Sequence, residues 1–261
     1  MQSSRRCILS FFLALCSLAV PSSCSGRTGA KQYRIKVLQV LPHDRSAYTQ
    51  GLFFDNGQLY ESTGEYGASS MRKVDLESGK VLQRVDFDRR YFGEGSCAIS
   101  GRLYILTWQE HVVFVYDLAT FKPLGMLTNT REGWGLTTDG KKLYLSDGSS
   151  SIYVMDGDTF EQQGKIKVKL DGKPVRNLNE LEWIDGRIWA NVYTEDYIVI
   201  IDPSSGNVTG VVDCRGLLPD SLRSADTDVL NGIARNDVTG EIYLTGKLWP
   251  RMYRVKLEEK K

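Results

Sequence analysis

The stretch Tyr91-Phe92-Gly93-Glu94-Gly95-Ser96-Cys97-Ala98-Ile99-Ser100-Gly101-Arg102-Leu103-Tyr104-Ile105 holds one short strand, a two-residue turn and a second strand. A turn ending in glycine suits a tight hairpin, because its central residues must accept positive φ. Behind the turn stands an aliphatic–aromatic pair, Leu103-Tyr104. The arrangement recurs. Leu59-Tyr60, Leu143-Tyr144, Ile188-Trp189 and Ile242-Tyr243 follow Asp55-Asn56-Gly57, Asp139-Gly140, Asp185-Gly186 and Thr239-Gly240 in the same way. Asp75-Leu76, Asp117-Leu118, Asp156-Gly157 and Asp202-Pro203 mark a later turn in four of the repeats.

Working outward from these hairpins, the chain from Tyr33 onward divides into units of short strands. Strands are expected at Gly51–Phe54, Gln58–Tyr60, Met71–Leu76 and Lys80–Phe87, then at Gly95–Ile99, Arg102–Ile105, Val112–Leu118 and Pro123–Leu127. The third unit covers Gly135–Thr137, Lys142–Leu145, Ser151–Met155 and Gln162–Val168. The fourth covers Leu181–Ile184, Arg187–Ala190, Tyr197–Ile201 and Asn207–Asp213. The fifth has Gly232–Ala234, Glu241–Leu244 and Arg251–Leu257, and no fourth strand. Four-stranded units repeating every 40 to 54 residues or so are the signature of propeller blades. Tyr33–Val40 is a strand without a unit. The expected fold is all-β, a five-bladed β-propeller closed by that N-terminal strand in the last blade, which removes the exposed edge between first and last blades.

The chain has 261 residues, 41% hydrophobic and 25% charged, with a formal net charge of +1. That size fits one all-β domain. No basic stripe is present to neutralise phosphates, so nucleic acid is not an expected partner. Two histidines, His43 and His111, are too few for a histidine-built zinc centre. Arg5-Arg6, an apolar run from Cys7 to Val20 and then Pro21-Ser22-Ser23-Cys24-Ser25-Gly26 have the layout of a secretory signal. Residues 1–26 are therefore expected to be a signal peptide and 27–261 the propeller domain. The apolar run is short for a membrane span. Export, periplasmic or secreted, is expected. Lipid anchoring through Cys24 is less expected, because Pro21 stands where a lipoprotein signal normally carries leucine. Cys97 and Cys214 remain in the mature chain, either as a disulfide or as two buried thiols. Asn207-Val208-Thr209 is a glycosylation acceptor sequence. A closed ring leaves no edge to share, so a monomer is expected.

In a propeller, the loop into each first strand and the loop leaving each second strand open on one face. The first positions are Gln50, Glu94, Trp134, Asn179 and Asn231. The second are Gly64, Trp108, Asp147-Gly148, Tyr193 and Lys247. Together they offer aromatic walls with a few polar groups, the usual make-up of a small-ligand pocket. Glu94 lies between two glycines after two aromatics, where desolvation raises a carboxyl pKa towards neutrality. Lys247 sits in an apolar context, with Trp249 placed to shield it. Asn179, Asn231 and Gln50 equally suit satisfying backbone groups at the channel mouth.

Tyr48-Thr49-Gln50-Gly51, Phe92-Gly93-Glu94-Gly95, Thr107-Trp108, Gly133-Trp134-Gly135-Leu136, Leu178-Asn179-Glu180-Leu181-Glu182, Leu230-Asn231-Gly232-Ile233-Ala234 and Thr245-Gly246-Lys247-Leu248-Trp249-Pro250 resemble the glutamine cyclotransferases of the plant and bacterial type. The resemblance covers the chain from about Tyr33 to its end. It implies a five-bladed propeller, unrelated to the animal-type zinc enzymes. It implies Glu94 as the catalytic carboxylate, with Asn179, Lys247 and Gln50 on the polar side and Trp108, Trp134, Phe92 and Tyr48 as the aromatic wall. Tyr193 departs from it, standing where tryptophan is expected.

The reaction implied is cyclisation of the N-terminal glutamine of a peptide or protein to pyroglutamate, with release of ammonia and no required cofactor. A structural cation in the channel is compatible with this reading. Two other classes fit a propeller: a non-catalytic peptide-binding module, and a metal-dependent lactonase or esterase using carboxylates and asparagines around a cation.

Overall fold

The computed structural model describes residues 29–260. The expected signal peptide, with Cys24, lies outside the described residues. β1 (Lys31–Pro42) comes first. Three four-stranded antiparallel meanders follow. They are β2 (Thr49–Asp55) to β5 (Val81–Asp86) through β3 (Gln58–Thr63) and β4 (Ser70–Val74); β6 (Gly93–Ile99) to β9 (Pro123–Thr128) through β7 (Arg102–Thr107) and β8 (Val112–Asp117); and β10 (Leu136–Thr138) to β13 (Gln162–Lys167) through β11 (Lys142–Ser146) and β12 (Ser151–Asp156). A small hairpin, β14 (Lys169–Leu170) and β15 (Lys173–Pro174), precedes β16 (Leu178–Ile184), β17 (Arg187–Val192), β18 (Tyr197–Ile201) and β19 (Val208–Asp213). A 3-10 turn at Asp220–Leu222 leads to β20 (Leu230–Arg235), β21 (Ile242–Gly246) and β22 (Arg251–Glu259). Among the described residues no helix is long and apolar enough to cross a membrane.

β1 runs antiparallel to β22 from Tyr33 opposite Glu259 to Pro42 opposite Arg251. It also pairs parallel with β19, from Lys31 opposite Gly210 to Arg34 opposite Asp213. The strand order is β16-β17-β18-β19-β1-β22-β21-β20. The sequence placed β1 beside the last unit but did not anticipate its second partner. The N-terminal residues of β1 take up edge groups of β19 that would otherwise lie open.

The aliphatic–aromatic pairs explain why the sheets pack as they do. Successive residues of a strand face opposite sides, so each pair serves two cores. Leu103 joins Phe53, Tyr60 and Phe114, while Tyr104 joins Leu136, Leu143 and Met155. Leu143 shares that second core, while Tyr144 lies with Leu181 and Ile188. Trp189 packs with Leu244 and Tyr253. Leu59 closes the circuit, packing with Ala234, Tyr243 and Met252 of the last set. Cys97 and Cys214 are buried free thiols in different cores, which decides between the two readings left open.

First strands are buried on both faces, whereas β5 and β9 are largely exposed. The crowding of first strands requires glycine. A Cβ on Gly95 would lie 2.6 Å from the Leu136 amide nitrogen, and one on Gly135 would collide with the Asn179 carbonyl. In the fourth set Glu180 stands where glycine stands in the other four. Its carboxyl reaches across to accept from the Ile233 amide at 3.0 Å and the Leu52 amide at 3.3 Å. Burial, reinforced by Glu182, holds that carboxyl well above its ordinary range.

One buried charge cluster ties β2, β3, β4 and the segment after β1 to the loop after β21. Glu61 accepts from Arg72 at 2.5 Å, His43 at 2.9 Å and Thr49 at 2.7 Å. His43 Nδ1 faces the Trp249 carbonyl at 2.7 Å. Both partners of the imidazole are acceptors, so both ring nitrogens donate and the ring is cationic. Burial works against this charge, but Glu61 outweighs it and raises His43 above its ordinary 6.5. Glu61 is also opposed by burial, yet Arg72 and His43 hold it far below 4.5. Removing one partner of a buried charge pair leaves the other uncompensated, so Arg72→Met is expected to cost about 3–5 kcal/mol in urea unfolding. The contribution of His43 is full below 6.5 and is lost as pH rises through its raised value. That of Glu61 is present above 4.5 and is lost as pH falls through its lowered value. The gap in unfolding free energy between wild type and His43→Gln is therefore expected to be widest from about 4.5 to 6.5 and to narrow as pH rises further. A gap that widens as pH rises above 6.5 would contradict a cationic His43.

Candidate active site

Four first strands break register with their neighbours at the residues singled out from the sequence. The breaks fall between Thr49 and Gly51, Gly93 and Ser96, Leu178 and Leu181, and Leu230 and Ile233. Gln50, Glu94, Asn179 and Asn231 lie inside them. Such a break re-aims the side chain it contains. The first three point into a cavity of about 250 Å³ that Tyr48, Glu65, Phe92, Trp108, Trp134, Tyr193 and Lys247 also line.

Nine of the ten site residues expected from sequence therefore meet there. Asn231 does not line the cavity. Its amide donates to the Thr49 carbonyl at 2.8 Å and lies 3.5 Å from Gln50 Oε1, so it braces the strand that carries Gln50. The contact matches the reading of Asn231 as satisfying backbone groups at the channel mouth. Glu65 is the lining residue that sequence reasoning missed. It follows Gly64, the position taken for that loop, and adopts φ of 88°. Gly64 and Gly148 leave room for rings: a Cβ on Gly148 would lie 2.7 Å from the Trp134 indole, and one on Gly64 would overlap Phe92.

The walls are ordered by edge-on contacts, with ring centroids 5.6 Å apart for Phe92 and Trp108 and 5.6 Å for Trp134 and Tyr193. Trp249 is not a wall. It is buried in the core beside Tyr253 and covers Gly246, and its indole donates to the Asp228 carbonyl at 2.9 Å. Trp183 stacks on Tyr144 outside the cavity.

The cavity lining includes one buried carboxyl and one buried amine. Glu94 is 5% exposed and Lys247 3%. Among the described residues no group donates to the Glu94 carboxyl, and the Lys247 ammonium makes no ion pair within 4 Å. The ammonium lies 4.6 Å from the Tyr48 ring centre and 5.3 Å from that of Tyr193. Such cation–π contacts replace part of the lost hydration. Burial pushes Glu94 well above its ordinary range. Lys247 opposes this, and Glu110 and Glu132 add to it. Burial pulls Lys247 down, against the pull of Glu94 and Asp228. Burial thus moves both groups towards their neutral forms. Among the described residues no group of three or more His, Cys, Asp or Glu side chains is placed to hold a metal ion.

A family model described as glutamine cyclotransferase matches residues 8–257. The chain belongs to the glutamine cyclotransferase family. It is 41% identical over 255 residues, 95% of this chain and 79% of the relative, to a glutaminyl-peptide cyclotransferase of Arabidopsis thaliana. The crystal structure of Myxococcus xanthus glutaminyl cyclase superposes with a TM-score of 0.83 at 34% identity, covering 89% of this chain and all of that one. The fold of this family member is accordingly an all-β one shared with a glutaminyl cyclase.

Proposed function

We propose that this cyclotransferase family member is a glutaminyl-peptide cyclotransferase, an acyltransferase that turns the N-terminal glutamine of peptides and proteins into pyroglutamate and releases ammonia. The observation that carries the reading is a pair of buried groups, Glu94 and Lys247, without hydrogen-bond or ion-pair partners among the described residues, in an aromatic-walled cavity of this size.

The nitrogen of the substrate α-amine attacks the carbon of its own side-chain carboxamide. A five-membered lactam closes and ammonia leaves. Both reacting groups belong to one molecule, so the entropic cost of bringing two reactants together is largely avoided. Glu94 takes the proton from the amine and delivers one to the departing nitrogen. Lys247 is read as the group that stabilises the oxyanion, with the Asn179 or Gln50 amide helping. Trp108, Trp134, Phe92, Tyr48 and Tyr193 fold the side chain back onto the amine and exclude water. No step requires a cofactor.

The five strand sets are read as the blades of a five-bladed propeller, with residues 27–261 as its domain. The circuit of five cores supports this reading, with β1 as the outermost strand of the last blade. Export of a monomer follows from the signal-like N-terminus and the closed ring. The test is ammonia release and lactam formation from a Gln-Xaa peptide by the folded, leaderless protein. Turnover supports the proposal, and its absence refutes it.

A further inference from the structure

One carboxylate behind the cavity organises two of its walls. The indole N–H of Trp108 donates to Glu132 Oε2 at 3.0 Å, and that of Trp134 donates to the same oxygen at 3.1 Å. The second oxygen accepts from the Gln109 amide at 3.0 Å. An indole has one polar atom and no acceptor, so where that N–H points decides how the ring is turned. Trp108 leaves β7 and Trp134 enters β10, so the two rings come from different strand sets. Glu132 itself is not among the residues lining the cavity. Glu132 lies two residues before Trp134, in a loop, and nothing local in the sequence marks it as a double acceptor.

We infer that Glu132 is a positioning residue for the cyclisation, holding the Trp108 and Trp134 indoles in one relative orientation through a single shared oxygen. The inference rests on the cyclotransferase reading above. Reaction geometry is sensitive to wall placement, because an ångström of misplacement can cost about 10²-fold in rate. The same carboxylate has a second, electrostatic consequence. Burial resists its charge, but hydrogen bonds from Trp134, Gln109 and Trp108 hold it below its ordinary range, so it is anionic at neutral pH. An anion there disfavours ionisation of Glu94.

The two consequences separate by substitution. Glu132→Gln keeps a carbonyl oxygen that both indoles can reach, and the Gln109 amide can turn to accept from the new NH2. The charge alone is lost. Glu132→Ala loses both. With a Gln-Xaa peptide, Glu132→Ala is expected to raise KM and lower kcat, with kcat/KM down by about 10²-fold. Its tryptophan emission shifts and becomes more open to acrylamide quenching. Glu132→Gln is expected to keep the KM and emission of wild type. Its acid limb of kcat moves to lower pH, because Glu94 then ionises more readily. A Glu132→Ala enzyme with kcat/KM within a few-fold of wild type overturns the inference. So does a Glu132→Gln enzyme as impaired as Glu132→Ala with its pH limb unmoved, which would mark a role in folding alone. If wild type makes no lactam, the cyclotransferase reading fails. The clamp is then still judged from the emission and quenching of the two variants, and an Ala variant matching wild type in both would overturn it.

Discussion

Glu94→Gln is expected to lose at least about 10²-fold in kcat towards a Gln-Xaa peptide while KM changes little. Glutamine keeps the shape and the polarity, so the pocket should still bind. What disappears is the capacity to move a proton. Glu94 is the only carboxyl of the ten cavity-lining residues that is buried, the other being the exposed Glu65. The environment points the same way. Desolvation raises the acid, and the Glu110 and Glu132 charges add to that shift against Lys247. The base form is the ionised one, so kcat rises with pH through the raised value, and the acid limb is expected above the ordinary carboxyl value of 4.5. Steady-state kinetics between pH 4 and 9 or so would show it, a range chosen to span the ordinary carboxyl and α-amine values. Activity that survives the substitution would keep the reaction and remove Glu94 from it.

Lys247→Met is expected to lower kcat by about 10²–10³-fold, equivalent to about 2.7–4 kcal/mol, the usual cost of removing one oxyanion donor. The protein should not be destabilised. Lys247 is buried without an ion-pair partner within 4 Å among the described residues, and its burial is costly. A methionine of similar length fills the space between Tyr48 and Tyr193 without that cost. The urea midpoint is therefore expected to stay level or rise while activity falls. The acid limb should move to higher pH, opposite to the shift expected for Glu132→Gln, since Lys247 is the one neighbour that lowers the Glu94 pKa. A Lys247→Met protein with nearly full kcat would assign oxyanion stabilisation to Asn179 and Gln50 instead.

The hairpin rhythm was fully readable in the sequence. Glycine turns followed by aliphatic–aromatic pairs are local signals, since turn conformation and side-chain alternation act within a few residues. Even here the structure adds detail. Asn56-Gly57, Ser100-Gly101 and Asp185-Gly186 have both residues at positive φ, whereas at Asp139-Gly140 and Thr239-Gly240 only the glycine does. The convergence of Gln50, Glu94, Asn179, Trp108, Trp134, Tyr193 and Lys247 was readable too, because corresponding positions in repeated units must face the same way.

Tertiary structure decided the rest. Asn231 occupies the same register break as Asn179, yet the Thr49 carbonyl lies within its reach and turns its amide away from the cavity. Glu180 takes a place among the crowded first strands because the Leu52 and Ile233 amides reach its carboxyl from two other strands. Glu132 matters only because two indoles, 24 residues and 2 residues away in sequence, bring their N–H groups to one oxygen. β1 meets β19 as well as β22 only when the last two sets stand side by side. By itself the sequence determined the repeated unit and the face on which its special residues gather, since both follow from short-range periodicity. Only the tertiary structure decided which polar groups face the cavity and which are spent on one another, since that depends on donors and acceptors brought together from distant parts of the chain.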